Sequence, residues 1–276
     1  MTRYSNTALW VAQSNLGDSA DLNRLHRACS RSGAAWLSVP AVPFSDELPA
    51  IPEGRPTIFY GATNFVRVAH KAARWRPCAY FDESRFCFRA YRDNWGEYLL
   101  NADAELVTIE QLALRELPAD RLYFVRPNRD DKEFAGEVLE FGDLAAWFGR
   151  ISHGEYTVSP QCEVVFTEPV GIKAEWRLFC VDGRVISGSR YRTRHRLDVS
   201  SEVPTEVRAF GEMLLRRWSP APVIVLDIGQ SESNLYAIEA NCFNSAGFYA
   251  ADVDAIVYAV TKYALATFNS TQEQSQ

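Results

Sequence analysis

Asp182-Gly183, set between two apolar-rich stretches, narrows the fold of this chain more than any other feature. Both residue types accept positive φ, so the pair specifies a two-residue type I′ hairpin. That turn pairs Val181 with Arg184; counting back sets Arg177 opposite Gly188 and Glu175 opposite Arg190. Residues two apart share a strand face, so Glu175, Arg177 and Arg190 form one row, with the glycine leaving open space over Arg177. Lys173 joins the row if the strand starts two residues earlier. Such a row is either a cross-strand ion pair, worth a few tenths to about 1 kcal/mol, or part of a site.

A second hairpin is expected downstream, where the short strands Val223–Ile228 and Leu235–Glu239 flank the polar loop Gly229–Asn234. With pairing symmetric about Ser233, Asp227 stands directly opposite Glu239. Their Cβ atoms are then about 4.5–5.5 Å apart, where like charges destabilise unless something positive lies between them. Asn241 extends the row of Glu239, while Leu226, Ile228, Ile238 and Ala240 point into the core. Three oxygen donors on one face suit a hard cation such as Mg²⁺. The alternatives are one solvated and one salt-bridged carboxylate, or an offset register.

A third segment, Leu122–Lys132, delivers Arg126 at a strand end and Lys132 after a loop, a pair able to grip phosphate oxygens. It lacks the Gly-x-x-x-x-Gly-Lys pattern of a P-loop. Of 29 basic residues 25 are arginine, so Lys132 and Lys173 either mark positions where a compact ammonium is wanted or are ordinary surface lysines. The run Arg190–Arg196 holds five arginine or histidine residues in seven within a chain of net charge −6. It is either a solvated loop or, through Arg192 and Arg194, a recruiter of an anionic substrate such as an acidic peptide.

The acidic balance argues against general affinity for nucleic acid or anionic membrane. Six dispersed cysteines without a Cys-x-x-Cys pair argue against a disulfide framework or zinc ribbon, and four histidines show no metal-site spacing. Apolar runs are too short to span a bilayer, and no signal peptide is evident. A cytoplasmic protein is the expectation; oligomeric state leaves no trace in these motifs.

The fold class expected is α+β, with a small α/β domain over 1–92 and a larger one over 93–268 built on antiparallel sheets. The N-terminal elements are strands Ala8–Ala12, Ala35–Val39 and Thr57–Tyr60 with helices Ser19–Ser32, opened by Asp18 or Ser19, and Thr63–Arg74. Pro77–Arg92 reads as irregular. Further on come helices Glu97–Asn101, Thr108–Leu117, Phe141–Gly149, Pro204–Trp218 and Ala251–Thr267. Strands fall at Glu105–Val107, Leu122–Arg126, Val138–Leu139, Glu163–Thr167, Glu175–Val181 and Arg184–Tyr191. Residues 269–276 read as a disordered polar tail.

Taken in order, these segments resemble the ATP-grasp superfamily. They look most like its phage- and bacteria-associated clade with one arginine and two lysines in the nucleotide site. The matching stretches are Phe124–Pro127 with Lys132 and Phe134, Thr167–Phe179, Asp182–Ile186, Asp227–Gly229 and Ile238–Tyr249. The resemblance implies two antiparallel α+β subdomains, a lid at about 120–168 and a C-terminal one at about 169–268, clamping ATP. It implies an ATP- and Mg²⁺-dependent carboxylate–amine ligase working through an acyl phosphate and releasing ADP and phosphate. Its substrates would be a small-molecule or peptide carboxylate and an amine.

On that resemblance Asp227, Glu239 and Asn241 hold Mg²⁺, and Arg126, Lys132 and Lys173 contact phosphates or adenine. Thr167–Val170 reads adenine through its backbone, with Thr167 and Val170 at its ends and Glu168 toward the ribose. Arg177 and Arg190, with Lys173, face the transferred phosphoryl group. Asn244 and Ser245 border the acceptor pocket, or else form a helix-capping turn. Open alternatives on the same fold are a nucleotide-binding module without catalysis and a phosphotransferase.

Overall fold

The computed structural model describes residues 7–17, 19–41, 47–72, 74–129, 134–152 and 158–273. The first third is an α/β unit: β1 (Leu9–Gln13), α1 (Ser19–Ser32), β2 (Ala35–Val39), β3 (Pro56–Tyr60), α2 (Thr63–Lys71) and β4 (Arg76–Cys78). Its four strands are parallel in the order β2-β1-β3-β4. Every residue of β1 and β3 is buried, as a parallel strand covered on both faces requires. Strand β4 overlaps the start of the stretch expected to be irregular.

The middle third comprises α3 (Phe88–Trp95), β5 (Glu105–Thr108), α4 (Ile109–Ala113), β6 (Leu122–Pro127), β7 (Glu137–Glu140), α5 (Leu144–Ser152) and β8 (Glu163–Thr167). The helix expected at Glu97–Asn101 instead lies upstream, as α3: Gly96, at φ 58°, stops it. Residues 97–101 are a short 3₁₀ turn and a bridge, in which Leu99 pairs with Ala237. Helix α4 is shorter than expected, and starts on a capping box in which Thr108 and Gln111 bond each other's backbone N–H. Strands β5-β8-β6-β7 form an antiparallel sheet. Tyr123, Val125, Leu139 and Phe166 on one face pack on α4 and α5 around Trp147. Alternation puts Leu122, Phe124 and Arg126 on the other face, where Val165, opposite Arg126, is buried against the core residues of α3.

The last third holds β9 (Ala174–Val181), β10 (Arg184–Thr193), β11 (Arg196–Ser200), α6 (Thr205–Arg217), β12 (Val223–Ser231), β13 (Asn234–Cys242) and α7 (Val253–Glu273). They form a five-stranded antiparallel sheet in the order β11-β10-β9-β12-β13. Asp182 and Gly183, at φ 51° and 74°, make the expected two-residue turn. Leu178, Ile224 and Leu226 face α6 in one core; Phe179, Val181, Val223 and Val225 face α7 in another. Helix α7 runs on to Glu273, so the polar tail expected from 269 begins inside a helix. The arginine-rich run is not a loop: Arg190–Thr193 finish β10, Arg194 and His195 turn at φ 47° and 64°, and Arg196 opens β11. Among the described residues no helix is long and apolar enough to cross a membrane.

Candidate functional site

The face that packs on α7 continues along the strands to the place where Arg126, from the four-stranded sheet, meets it across a cleft. There Asp227 lies between two cross-strand partners, Arg177 on β9 and Glu239 on β13. The expected Asp227–Glu239 pairing is present, but it is reached differently. The turn is two residues, with Ser231 opposite Asn234, and a bulge at Ile238 then restores Asp227 to Glu239. A bulge turns two successive side chains toward one face. Ile238, expected in the core, therefore lies beside Glu239; a Cβ on Gly229 would stand 3.1 Å from its Cδ1. Ala237 takes the core place.

Donors surround the acidic pair. Arg177 Nε and Nη2 donate to Asp227 Oδ1 and Oδ2 at 2.9 and 2.8 Å. Asn241 Nδ2 donates to Asp227 Oδ2 at 3.1 Å and to Glu239 Oε1 at 3.3 Å. Arg126 Nη1, from the end of β6, donates across the cleft to Glu239 Oε2 at 2.8 Å. The Asp227 side chain is 3% exposed and that of Arg177 15%. Burial opposes the charge on Arg177, but the Asp227 carboxylate outweighs it and holds the guanidinium above the ordinary arginine pKa.

Below this row, Tyr191 and Tyr249 stack at 5.2 Å, and the Arg177 guanidinium lies 5.5 and 5.3 Å from their centroids. Tyr191 donates its hydroxyl to Glu175 Oε2 at 2.7 Å. Burial, then the Asp227 and Glu175 charges, raise its pKa and keep it a phenol. Neither tyrosine is legible in the sequence as a site residue, since both sit where the strand or loop departs from regular spacing. Tyr191 is itself a bulge, sharing its face with Arg192. Tyr249, at φ 48°, belongs to a loop held by α1. Arg24 donates to the Tyr249 and Ala251 carbonyls at 2.6 and 2.7 Å, and Asp21 accepts from Phe248 N at 2.8 Å.

Bulges also correct the β9–β10 register. Arg177 pairs with Ser189 rather than Gly188, and Glu175 with Arg192 rather than Arg190. Arg190 pairs with Trp176, on the opposite face from Arg177, and bonds Asp198 at 3.2 Å. It therefore leaves the row. Nor does Gly188 leave open space: a Cβ there would meet Leu178 Cδ2 at 2.8 Å and the Arg177 carbonyl at 2.9 Å. Gly188→Ala is expected to cost about 1–3 kcal/mol through overpacking, read as a lower midpoint in denaturant.

The other expected residues scatter. Lys173 Nζ donates to the Glu232 carbonyl at 2.8 Å, at the turn end of β12 and β13. Thr167 ends β8 opposite Phe124, Glu168 pairs with Arg121, and Val170 lines a cavity of about 300 Å³ with Leu99, Asn101, Ser231 and Tyr236. Arg192 reaches Glu175 at 3.3 Å, while Arg194 is exposed at its turn. Lys132 and Asp18 lie outside the described residues. Asn244 is corrected outright as a substrate contact. It is 0% exposed, its Nδ2 bonding Phe59 O at 2.5 Å and its Oδ1 accepting from Tyr80 N at 2.9 Å. Ser245 is half-buried, its hydroxyl 3.5 Å from Cys242 O.

Among the described residues no three His, Cys, Asp or Glu side chains gather to hold a metal. The acidic pair can be completed by an amide, and two carboxylates with Asn241 form an oxygen set suited to Mg²⁺. Asn241 turns its nitrogen to the carboxylates here, so ligation requires the amide to rotate and present Oδ1.

Residues 33–260 match the model of an ATP-grasp domain, family 3 of its clade. A search of curated proteins finds no match. Among solved structures the chain is similar to the D-cycloserine synthetase DcsG, at 13% identity and a TM-score of 0.61, over 93% of this chain and 98% of that one. It is similar to D-alanine–D-alanine ligase from Bacillus anthracis, at 10% identity and a TM-score of 0.61, over 97% and 99%. A third similar structure is the ATP-grasp ligase PsnB with a minimal precursor, at 12% identity and a TM-score of 0.57, over 94% and 100%.

Proposed function

The chain belongs to the ATP-grasp domain family, and on that footing we propose that it is an ATP- and Mg²⁺-dependent carboxylate–amine ligase. The observation that carries this reading is the row Arg177–Asp227–Glu239, closed by Arg126 from the facing sheet. The similar structures include two ligases and a synthetase, and PsnB has been seen with Mg and ADP. Asp227, Glu239 and Asn241 would hold Mg²⁺, which when bound neutralises the charge of the β- and γ-phosphates. Phosphoryl transfer depends on positioning and charge neutralisation, which this set of side chains supplies.

In the proposed reaction a carboxylate oxygen attacks the γ-phosphorus and ADP leaves. An amine then attacks the acyl carbon, loses a proton, and phosphate leaves. Arg177 faces the transferred phosphoryl group, with Arg126, Lys132 and Lys173 on phosphates or base. Thr167–Val170 lines the adenine end and Glu168 serves the ribose. Arg192, Arg194 and Ser245 lie toward the acceptor, a small-molecule or peptide carboxylate. Six dispersed cysteines without a Cys-x-x-Cys pair suit a reducing compartment, and we propose that the reaction runs in the cytoplasm.

The test combines thermal melts with product analysis. Mg²⁺ plus the non-hydrolysable analogue AMPPNP should stabilise the chain by about 2.7 kcal/mol at a hundred times Kd, and neither alone should match it. Supplied with pooled carboxylates and amines, the chain should release ADP and phosphate. AMP with pyrophosphate, or a stable phosphorylated product, would refute ligation by this route.

A further inference from the structure

All four carboxylate oxygens of Asp227 and Glu239 already have donors: Arg177 takes both of Asp227, Asn241 shares one of these and Glu239 Oε1, and Arg126 takes Oε2. Two acids face two guanidinium groups, so the set is neutral as it stands. Arg126 belongs to β6 and Glu239 to β13, so their ion pair also joins the two sheets across the cleft.

We propose that Arg126 and Arg177 are resident stand-ins for the metal, forming a latch that keeps a divalent cation out until a nucleotide arrives. This inference rests on reading Asp227, Glu239 and Asn241 as the metal-holding set. The physical argument is competition. A cation entering alone meets no net negative charge and must separate one bidentate, largely buried pair and one singly bonded, partly exposed pair while Asn241 rotates. A cation entering with a polyphosphate brings anionic oxygens to which Arg126 transfers and which Arg177 can share, so neither guanidinium is left unpaired. Metal and nucleotide then bind with positive coupling, and the coupling is reciprocal. Arg126 is the releasable half: it is held by one bond of 2.8 Å and by its place 5.4 Å from the Phe88 ring centroid. Arg177 is fixed by two bonds and two tyrosine rings.

A merely structural Arg126 and a latching Arg126 differ in the sign of one measurement. Removing a latch raises affinity for the bare cation while lowering affinity for the nucleotide, because the phosphates lose a donor. The probe is Mn²⁺, titrated into the full chain and followed by the electron paramagnetic resonance signal of the free ion. Arg126→Gln is expected to bind Mn²⁺ alone roughly 5-fold more tightly than the parent, and to bind AMPPNP with Mn²⁺ roughly 10-fold more weakly. Arg126→Met, which keeps an apolar stem against Phe88, is the second variant and should behave alike. Equal or weaker binding of bare Mn²⁺ by both variants overturns the latch. If the parent binds Mn²⁺ with AMPPNP normally in that case, the ligase reading survives the failure. If the variants gain Mn²⁺ but the parent binds no AMPPNP, Arg126 still excludes the bare cation, but release by a nucleotide and the nucleotide reading both fall. Absence of Mn²⁺ binding by every protein overturns both.

Discussion

Asp227→Ala is expected to lower the stability of the fold by about 3–5 kcal/mol, because it strands a buried guanidinium without its counter-ion. The Asp227 side chain is almost wholly buried and accepts both bonds from Arg177, whose largely buried guanidinium is flanked by Tyr191 and Tyr249. For a chain of this size the loss corresponds to a melting point lower by on the order of 10 °C. The double variant Asp227→Leu with Arg177→Met is expected to return to within about 1 kcal/mol of the parent, since apolar residues can replace a buried ion pair at little cost. Guanidinium denaturation of the three proteins decides it. Equal instability of the single and double variants would mean that the two side chains do not act as a unit.

Glu239→Gln should behave in the opposite way, leaving the fold and removing the chemistry. Its side chain is 30% exposed and its pair with Arg126 is partly solvated, so the stability change stays within about 1 kcal/mol. As a direct donor to the cation it should matter more than an outer partner, whose loss alone costs roughly 10–100-fold in metal affinity; a drop of about 100-fold in Mg²⁺-dependent AMPPNP binding is expected. Isothermal titration with and without Mg²⁺ measures it. An unchanged affinity would remove Glu239 from the donor set.

What the sequence disclosed about the site followed from period-two geometry. Asp182-Gly183 fixed one hairpin, and the spacing of Asp227 and Glu239 placed them across from each other. What it hid followed from bulges. A single inserted residue at Ile186, Tyr191 or Ile238 reverses which neighbours share a face, yet it has no composition of its own. That is why regular alternation puts Arg190 on the wrong side and passes over Tyr191. Strand β11 escapes because four arginines and a histidine read as solvated, and its turn uses Arg194 and His195 at positive φ where glycine or asparagine is the usual cue. The role of Asn244 is hidden for a different reason: its partners Phe59 and Tyr80 lie more than 160 positions away along the chain.

Those distant ties have a consequence for how the molecule can be cut. The opening α/β unit supplies Asp21 and Arg24 to the loop of Tyr249, and backbone groups at Phe59, Gly61 and Tyr80 to Asn244. A fragment beginning at position 93 would have lost the scaffolding behind one wall of its own cleft. The leading ninety-odd residues are thus no detachable cap, and shortening the chain to residues 93–268 would discard part of what holds the Tyr249 loop in place.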